Sequence, residues 1–300
     1  MTNPEPSSRI SRLPPWLRAI RPTQWTKNIL VAAAPITSLQ IFHAETWGPL
    51  ACALFSFLFV SFSIYLLNDI VDVESDRLHP TKRFRPIAAR QLPLGAAWTM
   101  AVAFAMASLF IAGIASLRLL CLIALYLVLQ LSYSLYLKKI PILDIALVAS
   151  GFLLRAVAGG VACDIALSQW FLLVTSFGSL FVVAGKRYSE LKQVGTDGAT
   201  RISLRGYTPS FLHSVSTMSM AIVIVCYGLW AFREGQPQVS YIDWDVISVA
   251  PLTLALLRYS QLIDQGLAGE PESVLLHDRL FQLLTLSWLV SAAVSVLSAR

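Results

Sequence analysis

The densest chemistry in the sequence is a row of oxygen donors, Asn68-Asp69-Ile70-Val71-Asp72-Val73-Glu74-Ser75-Asp76, at the end of a long apolar run. On a helix, positions 68, 72 and 76 fall one turn apart on a single face, with Asp69 beside them. Like charges at that spacing repel unless a cation lies among them. Hard oxygen donors in this number suit Mg2+, which keeps several waters and binds through one or two carboxylates together with substrate phosphates.

The cations that follow at once, His79-Pro80-Thr81-Lys82-Arg83-Phe84-Arg85-Pro86-Ile87, sharpen that reading. A loop whose positive charge only fixed membrane orientation would need no acidic row beside it. Together the two meet the demands of a Mg2+-bound pyrophosphate: carboxylates hold the metal while Lys and Arg neutralise the remaining phosphate oxygens. Further cations end two later apolar runs, Lys138-Lys139 and Lys186-Arg187-Tyr188-Ser189-Glu190, with nothing to rank Lys138 against Lys139. Arg155 lies inside an apolar run, SGFLLRAVAGG. An ionisable group there is costly and marks a functional site, with an anionic partner expected: substrate phosphate or an acid of the first motif. Gly159 and Gly160 beside it read as close helix packing. Neither the histidines (43, 79, 213, 277) nor the cysteines (52, 121, 163, 226) have ligand spacing. No zinc site or disulfide is therefore expected, and the cysteines read as buried, inert thiols.

What must position these groups is a set of helices in lipid. Of 300 residues, 56% are hydrophobic and 13% charged, too apolar for a soluble domain of this length. A hydrocarbon core about 30 Å thick takes about 20 apolar residues per helix, which is the length of the runs here. Spans are expected at 28–45, 49–67, 94–115, 118–137, 142–163, 168–185, 210–232, 245–263 and 280–298. The expected fold is an all-α integral membrane protein of nine transmembrane helices, the first weakened by Pro35. With the N-terminus in the cytoplasm, the loops 68–93, 138–141, 186–209 and 264–279 and the N-terminal segment hold nearly all the Lys and Arg. The N-terminus is therefore expected inside and the C-terminus outside. Topology then accounts for the net charge of +6, and no nucleic acid partner is expected. Residues 1–27 contain no uninterrupted apolar h-region and no cleavage site, so they are expected to be retained. Their stretch 14–27, with Trp16, Arg18, Arg21, Trp25 and Lys27, suits a short helix in the headgroup layer. One membrane domain over 28–300 is the simplest organisation.

NDIVDVESD after the second span, nine spans, and polar loops gathered on one face resemble the UbiA superfamily of intramembrane prenyltransferases. Its first signature is an Asn-Asp-x-x-Asp-x-x-x-Asp run, and the likeness covers essentially the whole chain. Within that superfamily, RPTQWTKN, HPTKRFRPIA, RAVAGGVA, SQWFLL, GKRYSEL and GEPESVLLHDR together are similar to the branch that transfers phosphoribose to polyprenyl phosphates. The resemblance implies a UbiA-like bundle in the plasma membrane with its active site facing the cytoplasm. It implies transfer of 5-phosphoribose from phosphoribosyl diphosphate (PRPP) to a polyprenyl (decaprenyl) phosphate with release of diphosphate, a step that feeds cell-wall arabinan precursors in actinobacterial members. It implies Mg2+ as cofactor, with Asn68 and Asp72 as metal ligands and Asp69, Asp72 and Asp76 as catalytic carboxylates. As substrate contacts it implies Lys27, Tyr65, Lys82, Arg85, Lys138, Arg155, Lys186, Arg187 and Tyr188. It also admits a homo-oligomer.

The chain departs from the superfamily pattern where aromatic prenyltransferases carry a second Asp-rich motif. Here that place holds Lys186-Arg187-Tyr188 with only Glu190. A site that trades acids for cations should bind fewer metal ions and more bare phosphate. The alternative within the same fold is transfer of a prenyl group from its diphosphate to an aromatic acceptor. A transporter or channel would spread polar groups through several spans, whereas here they cluster at one face.

Overall fold

The computed structural model describes residues 13–194, 204, 206–234 and 243–298. Every regular element among them is a helix: α1 Pro15–Ala19, α2 Ala33–Thr37, α3 Ala44–Val71, α4 Val73–Leu78, α5 Leu94–Ala115, α6 Leu117–Leu135, α7 Leu143–Ala162, α8 Gln169–Val194, α9 Pro209–Glu234, α10 Trp244–Asp264, α11 Pro271–His277 and α12 Arg279–Ser298, with short 3-10 segments between some of them. Seven described helices, α3 and α5 to α10, are long and apolar enough to cross a membrane, and α12 is apolar over Arg279–Ser295. The chain divides into two compact units, Met1–Lys138 with Leu154–Leu167, and Lys139–Leu153 with Ser168–Arg300.

The first unit is built along α3. Its 28 residues give about 42 Å of helix, longer than the hydrocarbon core, so its last turns, which carry the acidic row, emerge from the lipid. Pro49 sits in the opening turns of the helix and removes a single backbone bond. One side of α3, with Ala53, Phe57 and Val60, packs on Val31, Leu119 and Ile123. The other, with Phe62, Leu66 and Ile70, packs on Ile20, Ile87 and Ala97. Ser108 on α5 donates to the Ser56 carbonyl at 2.7 Å, an interhelical bond of the kind that substitutes for the missing hydrophobic drive between helices in lipid.

The first expected span is not one α-helix. A 3-10 helix over Pro22–Ala32 leads into α2, followed by Leu39 at φ 59° and a second 3-10 turn over Gln40–Phe42. The causes are local. Pro35 has no N–H to donate, and the hydroxyls of Thr37 and Ser38 bond back to the carbonyls of Ala33 (3.0 Å) and Ala34 (2.8 Å). The 3-10 stretch also runs against α7. A Cβ on Gly159 would lie 1.8 Å from the Val31 carbonyl oxygen, so this approach requires glycine. Nor is 14–27 a single headgroup helix: α1 has five residues, and Ala19 and Ile20 are buried while Trp16 stays half exposed.

In the second unit, Phe181 and Met220 pack with Tyr259, Ile263 and Val274, and Ile145, Val183 and Leu212 form a separate cluster. A polar relay ties three helices: Trp288 donates to the Tyr227 hydroxyl at 2.9 Å, which lies 2.8 Å from Ser248 Oγ. Asp243 caps α10 by accepting from the N–H groups of Asp245 and Val246. The cysteines are free thiols, but burial is not uniform: Cys226 is buried, Cys52 and Cys163 are half-buried and Cys121 is exposed.

Candidate active site

The helical register of the acidic row survives a break at Asp72. The Asp72 N–H donates to the Asn68 carbonyl at 2.9 Å, and the Asp76 N–H to the Asp72 carbonyl at 2.8 Å. Positions 68, 72 and 76 therefore stay one turn apart across the junction of α3 and α4. Their environments differ. Asp69 and Asp76 are each only 2% exposed, whereas Asn68 and Asp72 are half-buried.

Both buried carboxylates are taken by guanidinium groups. Arg21 and Arg85 converge on one oxygen of Asp69, Oδ1, with Arg85 at 3.0 Å. Arg85 also donates to Asp76 Oδ2 at 2.7 Å. Lys138 pairs with Asp72, while Lys139 is exposed, so the structure ranks the two lysines that the sequence left equal. Arg21 also lies over the Tyr65 ring, 5.2 Å from its centroid.

The basic loop is held as firmly as the helix it follows. His79 Nδ1 accepts from the N–H groups of Thr81 (3.2 Å) and Lys82 (3.3 Å). Burial, and then the neighbouring Lys82 cation, hold the His79 pKa below its ordinary 6.5, which agrees with a ring nitrogen serving as acceptor. Ile87 is buried, and the Pro86 carbonyl accepts from Gln91 and Leu92. Arg18 on α1 donates to the Phe84 carbonyl at 3.3 Å and to Gln91 Oε1 at 3.0 Å, tying the N-terminal segment to the loop. Lys27 and Lys82 are half-buried in this same unit.

Among the described residues no group of three or more His, Cys, Asp or Glu side chains is arranged to hold a metal ion. A protein-only cage is therefore excluded there, but Mg2+ does not require one, because phosphate oxygens complete its shell. Asn68 and Asp72 remain suitable: hard oxygens, half-exposed and one turn apart. Asp72 also meets Lys138, whereas Asp69 and Asp76 are buried as well as paired, both with arginines.

The other expected site residues have partners of their own. Arg155 is buried midway along α7, donating to Asn28 Oδ1 (3.0 Å), Ser61 Oγ (3.1 Å) and the Tyr126 hydroxyl (2.9 Å). It also lies over the rings of Phe57 and Tyr126. Of these partners, Ser61 precedes Asp69 by about two helical turns, about 12 Å along the axis of α3. In the second unit Arg187 is 2% exposed and forms a two-point pair with Asp144, at 2.7 and 3.2 Å, with Glu190 at 3.2 Å. The Tyr188 hydroxyl donates to Asp264 at 3.2 Å, and Lys186 lines a cavity of about 450 Å³ with Glu190, Gln193 and Glu270.

Sequence reasoning missed Arg21 and Asp144. Arg21 stood in a stretch read as a short helix in the headgroup layer, and its pairing with a residue 48 positions away has no local signal. Asp144 had one: it is a carboxylate at the start of an apolar run, the same anomaly that singled out Arg155.

The UbiA prenyltransferase family model matches residues 29–293, and the chain belongs to that family. Within it, the chain is 47% identical over 284 residues to the decaprenyl-phosphate phosphoribosyltransferase of Mycolicibacterium smegmatis, covering 91% of this chain and 89% of the relative. It is 46% identical over 286 residues to the protein of the same name from Mycobacterium tuberculosis H37Rv, covering 93% of each. Among solved structures, a UbiA homolog from Archaeoglobus fulgidus bound to GPP and Mg2+ superposes with a TM-score of 0.72 over 94% of this chain and 98% of that one. At 16% identity that likeness speaks to the fold alone.

Proposed function

We propose that this chain transfers the 5-phosphoribosyl group of phosphoribosyl diphosphate to a polyprenyl phosphate, releasing diphosphate, at the acidic row. The observation that carries this reading is the division within that row. One pair, Asn68 and Asp72, stays half-exposed, with Lys138 on Asp72, while guanidinium groups are drawn onto the two buried carboxylates. A site so divided suits substrates that carry both a diphosphate and phosphate monoesters, and relatives matched over nine-tenths of the chain are named decaprenyl-phosphate phosphoribosyltransferases.

In the step itself, a phosphate oxygen of the lipid attacks the anomeric carbon of the ribose. The bond from that carbon to the diphosphate breaks, and the diphosphate leaves with the electron pair. A phosphate monoester anion is already nucleophilic, so no strong general base is required. Mg2+ held through Asn68 and Asp72 would supply charge neutralisation to the leaving diphosphate. Arg21, Arg85 and Lys138 orient the phosphates and stabilise charge as it moves.

The same reading places the row on the cytoplasmic side of the plasma membrane with nine crossings, N-terminus inside and C-terminus outside. The broken N-terminal stretch supports the count: 11 residues of 3-10 helix and five of α2 rise about 30 Å together, the thickness of the hydrocarbon core. Its two ends lie at the two ends of α3, since Arg21 meets Asp69 and Gln40–Phe42 leads directly into Ala44.

Mass spectrometry of lipid recovered after incubating purified protein with decaprenyl phosphate and phosphoribosyl diphosphate tests the proposal. A product heavier by one phosphoribosyl unit, with an equivalent of diphosphate released, is expected. Unchanged lipid, alongside prenyl transfer from a prenyl diphosphate to an aromatic acid, would replace it with the aromatic reading.

A further inference from the structure

We propose that Arg21 and Arg85, held together by the buried carboxylate of Asp69, form a clamp that binds a phosphate monoester without metal, and that Asp69 is a positioning residue for the clamp and not a magnesium ligand. This deepens the proposed function and rests on it for the identity of the substrates.

Four observations carry it. Two guanidinium groups meet on one carboxylate oxygen, and Arg85 also holds the second buried acid, Asp76, so the two groups are fixed side by side. A phosphate is the anion whose oxygens match such a fork of N–H donors. Both arginine side chains keep an open edge, at 29% and 28% exposure, against 3% for Asp69. The two arginine side chains thus reach solvent while the acid that holds them does not.

The backbone at Arg21 is strained to achieve this. Its φ is 52°, in the left-handed region, and it precedes Pro22, which steers the preceding residue toward extended conformations. A non-glycine residue held there stores strain of the kind that marks functional positions. The cause here is visible: the turn swings the Arg21 side chain over the Tyr65 ring and onto Asp69. Finally, a metal at Asp69 would have to displace two cations from a carboxylate with almost no solvent access, whereas Asn68 and Asp72 stand half-exposed on the neighbouring face.

The phosphate monoester has two sources in the proposed reaction, the 5-phosphate of the ribosyl donor and the phosphate of the lipid. The experiment uses ribose 5-phosphate and farnesyl phosphate as separate probes, titrated by calorimetry into detergent-purified protein in EDTA. One probe is expected to bind wild type and the surface control Arg118→Met equally. Binding should weaken about tenfold or more in Arg21→Met and in Asp69→Asn, the loss expected when a charge-assisted bond is removed. Whichever probe shows this pattern names the source. In turnover, Asp69→Asn should raise the KM of the matching substrate and leave the Mg2+ concentration for half-maximal rate unchanged.

No binding of either probe in EDTA, or binding that Arg21→Met leaves untouched, overturns the clamp. A shift of the Mg2+ requirement in Asp69→Asn at constant KM makes Asp69 a metal ligand instead. Should Asp69→Asn fail to fold, Arg21→Met decides alone. The calorimetry does not need phosphoribosyl transfer to occur, so failure of the clamp and failure of the proposed function are read separately.

Discussion

Two of the aspartate and arginine pairings at helix ends have opposite characters. Asp144 and Arg187 in the second unit are 1% and 3% exposed at their side chains and meet by two parallel bonds. That pair is closed to solvent on both sides. Asp69 in the first unit is as buried, but its arginines are more than a quarter exposed. The pairing chemistry is shared, and what differs is solvent access to the cation, on which the proposed clamp rests. Arg187 looks as inviting in sequence as Arg85, and only burial distinguishes them.

The widest test of that contrast is Asp144→Asn. Removing one partner of a buried ion pair costs about 3–5 kcal/mol, so the expected outcome is loss of monodisperse protein and a lower thermal midpoint. A stable variant that had lost only transfer would break the comparison. Next comes Asp72→Asn, expected to lower turnover about 100- to 1,000-fold with normal expression and midpoint, the scale of losing a preorganised electrostatic group. Wild-type rates in Mg2+-saturated Asp72→Asn protein would contradict it. Lys138→Met should lower kcat/KM about tenfold through one charge-assisted contact, while Lys139→Met, at an exposed position, should leave it unchanged. Equal effects of the two would mean that only loop charge matters.

The smallest expected effect is on pH. His79 has a folded pKa below its ordinary 6.5, so between the two values the unfolded chain binds more protons than the folded one. The basic loop therefore keeps its full stability above about pH 6.5 and loses some as the pH falls through that value toward the folded pKa. Hydrogen exchange at the amides of Thr81 and Lys82, which donate to His79, should quicken on acidification. Exchange that slows would reverse the assigned sign.

The acidic row, the basic loop and most of the spans were legible because they depend on neighbours in sequence. Periodicity put 68, 72 and 76 on one face, and that spacing holds even through the break at Asp72. The first span was misread as a helix because hydropathy is blind to what Pro35 and two back-bonding hydroxyls do to it. Arg155 stood out correctly as an unusual residue, but the sequence could not say that Asn28, Ser61 and Tyr126 would surround it. Arg21 was invisible for the complementary reason: a lone arginine near headgroups is ordinary until a left-handed turn carries it to Asp69.

The most direct test of the account is transfer of radiolabel from phosphoribosyl diphosphate to decaprenyl phosphate by the purified full chain, across a Mg2+ titration that includes EDTA. The account predicts an organic-extractable labelled product whose formation requires Mg2+ and collapses in Asp72→Asn. Label that stays in the aqueous phase at every Mg2+ concentration, with protein that is folded and bound to lipid, would contradict it.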